Sequence, residues 1–311
     1  MELYIEKEFL DNFYLDYSSK PIQEIVKEIF IRYGEKRVFI DFNSENFGKL
    51  DAENEFFALI SNIIPPTPVN SIKEHLFSQS DFSQTIVFTN NEEDWFEDAG
   101  NKGALCFNFD NYQKKIKEII DKLHFKIDLS EGFAGWEFLQ KIKAIKYNEL
   151  FVSDGYILSD KTNQRIEDNI IPILKSLVSD KNKNINIFIL TKDLGPIKPE
   201  EKYKKEKAKK RHLKLNSVFA NYNTKFAILL NDFPFDFVLH DRNIATNFSL
   251  MDCGEGFNLI PYKASNSQII SETIFDKYTY DRLKNIKKQQ IKYIEKLRRL
   301  ETLKFKMYPE K

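Results

Sequence analysis

In residues 237–260, FVLHDRNIATNFSLMDCGEGFNLI, three apolar residues run into His240, and Arg242 follows two places on. Side chains two apart on an extended strand share a face, about 6–7 Å from each other along the chain, so an imidazole and a guanidinium here can meet one phosphate. Asp241 is expected on the other face. An imidazole nitrogen so placed can attack phosphorus and carry the phosphoryl group, while the neighbouring cation neutralises the equatorial oxygens. Asn247 is a candidate to orient the pair. Gly254 and Gly256 flank Glu255 in a turn whose backbone N–H groups can face an anion, because glycine lets the chain approach closely. Structural readings compete at each position. His240 can cap a strand end through ring hydrogen bonds. Arg242 can form a buried ion pair with Asp154, which ends the apolar run of YNELFVSDGYIL. Asp154 can also be an ordinary turn acid.

The spacing His-x-Arg-x4-Asn-x6-Gly at His240, Arg242, Asn247 and Gly254 resembles the His-x-Lys-x4-Asp-x6-Gly pattern of the phospholipase D superfamily. With LFVSDGYIL upstream, residues 145–262 are similar to the phospholipase D-like C-terminal domain of MIT-domain proteins. That resemblance implies a sheet sandwiched between helices, with Asp154, Gly254 and Gly256 lining a phosphate site. It also implies His240 as nucleophile, Arg242 as clamp and Asn247 as orienting residue. Two departures from that pattern bear on catalysis, and the second weighs against it. Arginine for lysine keeps the charge and favours bidentate phosphate contact, whereas asparagine for aspartate cannot hold a charged histidine in the same way. Members of the MIT-associated group bind without cutting. Active superfamily enzymes use two such histidines, so a chain with one motif would need a homodimer. The activity expected is a phosphodiesterase acting on nucleic acid, without metal or cofactor, in the manner of a host-defence or toxin-type effector. Its rival is a non-catalytic module for nucleic acid, anionic lipid or a partner protein.

The other chemistry-bearing residues are weaker candidates. KPEEKYKKEKAKKRHLK, residues 198–214, holds 9 Lys and Arg against 3 Glu, and a helix this basic can track a polyanion through Lys204, Lys205, Lys207, Lys209, Lys210 and Arg211. A solvated face is the alternative. His212-Leu213-Lys214 imitates His-x-Lys but sits in a helical pattern. His75 and His124 lack metal-ligand spacing, and Cys106 and Cys253 have no partner two residues away. Asp41, Glu92, Glu93, Asp94 and Asp110 follow strands and could collect a cation, though scattered strand-end acids are common.

The elements that must position these groups read as α/β. In the first half, helices are expected over 19–34, 51–63 and 111–125, with strands at 38–42, 85–89 and 104–109. In the second half, strands are expected at 147–158, 185–191, 225–230, 235–239 and 247–251, with helices over 164–180 and 198–221 and a basic helix from 279 to 308. The expected organisation is an acidic α/β or α+β domain over 1–140, a phospholipase D-like domain over 145–262 and a basic helical extension over 263–311. The chain has 311 residues and no net charge, but residues 1–140 carry 14 Lys and Arg against 26 Asp and Glu, and residues 141–311 carry 33 against 21. An acidic half of that strength can shield a basic half from a polyanion until a trigger releases it. With 42% hydrophobic residues the composition excludes a disordered tail, and two cysteines exclude a disulfide-stapled secreted domain. The acidic N-terminal segment does not read as a signal peptide, and a cytoplasmic setting is expected.

Overall fold

The structure, a computed structural model, describes residues 1–311 except 80, 81, 83, 144, 160–165, 179–183, 192–200, 232–241, 300–304 and 309–311. For 143, 201–205, 230, 231, 290, 292–299 and 305–308 only the backbone is described. The strand expected at 235–239, with His240 and Asp241, lies outside the described residues. Two compact units are present, one of residues 1–121 with 274–281, the other of 122–273 with 282–311. The charge separation follows them, with 13 basic against 25 acidic residues in the first and 34 against 22 in the second.

The first unit opens with β1 (Glu2–Ile5), α1 (Lys7–Asp16), α2 (Pro21–Ile31) and β2 (Arg37–Ile40). It continues through α3 (Phe47–Glu53), α4 (Glu55–Ile63), β3 (Thr67–Pro68), α5 (Ile72–Ser78) and β4 (Thr85–Thr89), ending with α6 (Phe96–Asn101), β5 (Ala104–Asn108) and α7 (Tyr112–Leu123). The strands form one parallel sheet in the order β3-β2-β1-β4-β5. Parallel neighbours require crossovers, and the helices supply them. Because both faces are covered, β1 and β4 are buried along their whole length. Alternation sends Tyr4 and Val87 to one face, into a cluster with Phe39, Ile72, Leu76 and Trp95. On the other face Phe88 meets Phe9 and Phe30, with ring centroids 5.0 and 5.4 Å away. Such ring pairs add about 0.5–1.5 kcal/mol each to the area they bury.

One expectation is corrected here. The helix read over 51–63 is two helices, because Asn54 leaves the helical conformation, caps α4 by accepting from the Phe57 N–H at 3.1 Å, and donates to Asp11 at 2.9 Å. The acidic opening segment, in which the sequence pattern marks no element, supplies β1, the central strand, and α1. The unit is completed from far along the chain. Tyr280 stacks on Tyr33 at 4.5 Å and donates to the Gly34 carbonyl at 2.7 Å, while the Tyr33 hydroxyl donates to the Ile274 carbonyl at 2.7 Å.

The second unit contains β6 (Phe125–Asp128), α8 (Gln140–Lys143), β7 (Glu149–Ser153), α9 (Ile171–Leu177), β8 (Ile185–Thr191) and α10 (Glu201–Val218). After them come β9 (Thr224–Asn231), β10 (Asn243–Thr246), β11 (Ser249–Cys253), β12 (Gln268–Thr273), α11 (Lys277–Arg299), whose first turn belongs to the first unit, and β13 (Phe305–Tyr308). The eight-stranded sheet runs β13-β9-β8-β7-β10-β11-β12-β6. Its centre, β7-β8-β9, is parallel, and every other pairing is antiparallel. Residues 122–140 therefore belong to this unit and not to the acidic half, since β6 pairs with β12 more than a hundred residues later. The basic tail is not helical to residue 308: β13 pairs antiparallel with β9, Phe305 opposite Asn231 and Tyr308 opposite Ile228. The strand expected at 247–251 is β11, displaced to Ser249–Cys253 because Asn247 and Phe248 form the turn from β10. Thr246 Oγ1 accepts there from the Phe248 and Ser249 N–H groups at 3.2 and 3.0 Å. No described helix is long and apolar enough to cross a membrane.

Tyr33→Phe leaves the buried Ile274 carbonyl without its donor. We expect a loss of about 1–2 kcal/mol, read as a fall of a few degrees in the thermal midpoint, with the circular dichroism of the folded state unchanged.

Candidate functional site

The register of three strands assembles one site. In the antiparallel pair β7–β10, Ser153 opposes Asn243, so the next step outward sets Asp154 opposite Arg242. In the pair β10–β11, Asn243 opposes Asp252, and the Cys253 N–H donates to the Arg242 carbonyl at 3.1 Å. The chain then turns at Gly254–Gly256, where the Gly256 N–H returns to the Cys253 carbonyl at 2.9 Å. Arg242 Nη1 donates to the Gly254 carbonyl at 2.8 Å. Asp154 Oδ2 accepts the Phe257 N–H at 2.7 Å, and Oδ1 accepts the Tyr156 N–H at 2.8 Å. Gly256 has φ of +86°, and a Cβ there would lie 2.6 Å from Asp154 Oδ2 and 2.7 Å from Arg242 Cδ. Only glycine fits between the carboxylate and the arginine stem.

Asp154 is 1% exposed. Burial raises its carboxyl above the usual carboxylate range, opposed by the two backbone N–H groups and by the Arg242 charge. Arg242 is only half-buried, so its guanidinium retains access to solvent. Cys253 is no nucleophile: its thiol donates to the Gly256 carbonyl at 2.9 Å, and burial pushes it up.

Asp154, Arg242, Gly254 and Gly256 thus come together at one end of the strands, and Asn247 does not join them. It lies at the other end of β10, about 17 Å away for five extended residues. Its Oδ1 accepts the Asn148 and Glu149 N–H groups at 3.2 and 3.0 Å, and its Nδ2 donates to Asn148 Oδ1 at 2.6 Å. Fully buried, it pins the start of β7.

The basic run forms α10. Ala208, Leu215 and Phe219 are buried, the Phe219 ring lying 5.5 Å from Phe226 on β9. His212 Nε2 is 3.0 Å from the Phe226 carbonyl, which gives the ring a packing partner in the sheet. Lys209 and Lys210 are exposed, Lys207 and Arg211 half-buried, and Lys214 is ion-paired with Glu167. Lys204 and Lys205 lie on the same helix, their side chains outside the described set.

In the first unit the strand order reverses between β1 and β4, the place where open parallel sheets form a crevice. Glu6, not singled out from the sequence, lies there; it accepts the Asn90 N–H at 2.6 Å, and Asp41 accepts the Lys7 N–H at 2.5 Å. Both carboxyls are raised, in each case mainly by burial, and for Glu6 also by Asp41, Glu93 and Glu8. Of the other strand-end acids, Glu92 pairs with Lys115, Asp94 with Lys73 and Glu93 with the Trp95 indole N–H, and Asp110 is exposed. Among the described residues no group of three His, Cys, Asp or Glu side chains is placed to hold a metal ion.

Neither a protein-family model nor a curated protein matches the chain.

Two outcomes follow from this geometry. Gly256→Ala forces a methyl group against Asp154 and Arg242 at a positive φ and should cost more than about 2 kcal/mol in denaturant unfolding. Glu6 binds its proton more tightly folded than unfolded, so its contribution to stability is lost as pH rises through its folded pKa. Glu6→Gln should therefore raise the thermal midpoint by a degree or two near pH 7 and leave it unchanged near pH 3, where both forms are neutral.

Proposed function

We propose that the second unit is a phospholipase D-like module that holds a nucleic-acid phosphate at Arg242. One observation carries this reading: the paired registers of β7, β10 and β11 deliver a partly exposed guanidinium to a glycine turn. The buried Asp154 lies opposite Arg242 in register, and the Gly254 carbonyl accepts from the arginine Nη1. A guanidinium offers planar, bidentate donors to phosphate, and the glycine turn leaves room for the anion to approach. The exposed Lys209 and Lys210 of α10 and the excess of basic residues in this unit favour a polyanion over a neutral partner. Binding is preferred to cleavage because Asn247, the residue that would orient a catalytic histidine, is spent on the opposite end of the strand pair.

Phosphodiester cleavage is the second reading, and the solvent access of Arg242 keeps it open. His240, two residues before Arg242 in sequence, would form a phosphorus–nitrogen bond as the bond to the leaving oxygen breaks. A protonated group, supplied by a second copy of the chain, would protonate that oxygen.

Fluorescence anisotropy with labelled DNA and RNA oligonucleotides, from roughly 50 to 200 mM salt, separates these readings from no function at all. Arg242→Ala should weaken binding about tenfold and lower the salt slope by about one. Unchanged affinity would remove the module reading. Cleavage by the parent chain that His240→Ala abolishes would establish the second reading; no cleavage by either leaves binding as the activity. Tight binding to anionic vesicles without oligonucleotide binding would move the assignment to lipid headgroups.

A further inference from the structure

The loop from Gly254 to Ser267, which starts at the glycine turn that holds Arg242, carries large side chains into solvent. Its neck is closed by the Glu255 N–H donating to Ser267 Oγ at 3.3 Å, and its far side is sewn to Leu129 through the Ser265 N–H at 2.9 Å. Phe257 and Leu259 point inward and are buried, while Ile260, Pro261, Tyr262 and Lys263 are exposed. Tyr262 is 87% exposed and Ile260 51%. Tyr262 also has φ of +61°. Among the described residues four other non-glycine positions share this sign, Ser19, Glu35, Gln84 and Asn184, and none is aromatic. Left-handed backbone strains a residue with a Cβ, and an exposed ring gains no burial to offset the strain.

The surroundings hold Tyr262 in that conformation. Its N–H donates to the Phe133 carbonyl at 2.8 Å, and Phe133 also bridges to Pro261. Gly132 passes so close that a Cβ on it would lie 3.1 Å from the Tyr262 carbonyl. Phe133 packs on Trp136 at 4.7 Å, and Trp136 on Phe257 at 6.0 Å. Phe257 is the residue whose N–H holds Asp154. A second partly exposed ring, Tyr156, is tied to the same carboxylate through its own N–H, and its carbonyl accepts from Asn258 Nδ2. Both exposed tyrosines therefore hang from the framework that positions Arg242.

We infer that Tyr262 and Tyr156 form a stacking platform for unpaired bases, so that the ligand of the Arg242 site is single-stranded nucleic acid. This rests on the phosphate-binding reading above. Solvent-facing rings on the segments that bond Asp154, together with the Arg242 guanidinium, match the way single strands are held, by stacking on aromatic faces while cations take the backbone. A duplex keeps its bases stacked inside and offers such rings nothing. The exposed apolar surface of the loop, chiefly Ile260 and Tyr262, is too small to anchor a membrane by itself.

The test compares a labelled single-stranded oligonucleotide with the corresponding duplex, binding to the full chain and to Tyr262→Asn, Tyr262→Phe and Arg242→Ala variants. Asparagine tolerates the left-handed backbone, so Tyr262→Asn removes the ring without adding strain, and an unchanged thermal midpoint verifies its folding. The expected result is tighter binding of the single strand, weakened about tenfold by Tyr262→Asn and retained by Tyr262→Phe, with duplex affinity unaffected by either. Equal binding of single strand and duplex, or a single-strand affinity indifferent to Tyr262→Asn, overturns the platform while Arg242 dependence still upholds the phosphate reading. Loss of Arg242 dependence, by contrast, removes the phosphate reading and the platform with it. Tyrosine-dependent binding to anionic vesicles, with none to oligonucleotides, would also overturn the inference.

Discussion

A buried carboxylate constrains the second unit. Asp154 is removed from water at the end of a parallel strand, and an ionised group there must be met by donors or give up its charge. Two donors come from different directions, Tyr156 from the next turn of its own loop and Phe257 from the far side of the glycine turn, and the Arg242 charge acts from the facing strand. Each is available only if β7, β10 and β11 keep their mutual register, since a slip of one residue would turn Arg242 to the opposite face of the sheet. The glycine at 256 is required by the same convergence, because the space that its missing side chain leaves is the space the carboxylate and the arginine stem occupy.

Much of this was legible locally and some of it was not. The turn chemistry around Gly254 and Gly256 marks a tight turn, and it is there, whereas the strand expected to end at His240 lies outside the described residues. Whether Arg242 faces Asp154 depends on a pairing between segments about ninety residues apart, which no local pattern encodes. Asn247 shows the limit from the other side: its spacing from Arg242 suggested shared chemistry, yet the extended run of β10 carries it to the opposite end of the strand. β6 and β13 were hidden for a related reason. Both are short edge strands whose pairing partners lie far off in sequence, and β13 also continues a basic segment with a helical pattern. The opening strand β1 was obscured by the acids around it, although its residues Leu3, Tyr4 and Ile5 are completely buried.

The first unit shows the opposite use of carboxylates. Glu6 and Asp41 stand at the reversal point of a parallel sheet, each accepting one backbone N–H and each held above its ordinary range. Burial is the main cause in both, with Asp41, Glu93 and Glu8 adding to it at Glu6 and Glu8 adding to it at Asp41. Lys36 makes a similar sacrifice at the end of α2: its amine is buried against the carbonyls of Ile29 and Phe30, and burial pushes it down to about 8. There the compensation is visible, since the lysine satisfies carbonyls that the last helical turn cannot bond.

The two tyrosines that join residues 33–34 to residues 274–280 set an order on biosynthesis. As the chain leaves the ribosome, the five parallel strands and their helices emerge first, but the segment that covers Tyr33 follows only after nearly all of the second unit has been made. Until then an aromatic face of the nascent first unit stays open to water and to chaperones, at translation speeds for about ten seconds or more. The N-terminal unit is thus first to begin folding and among the last to finish.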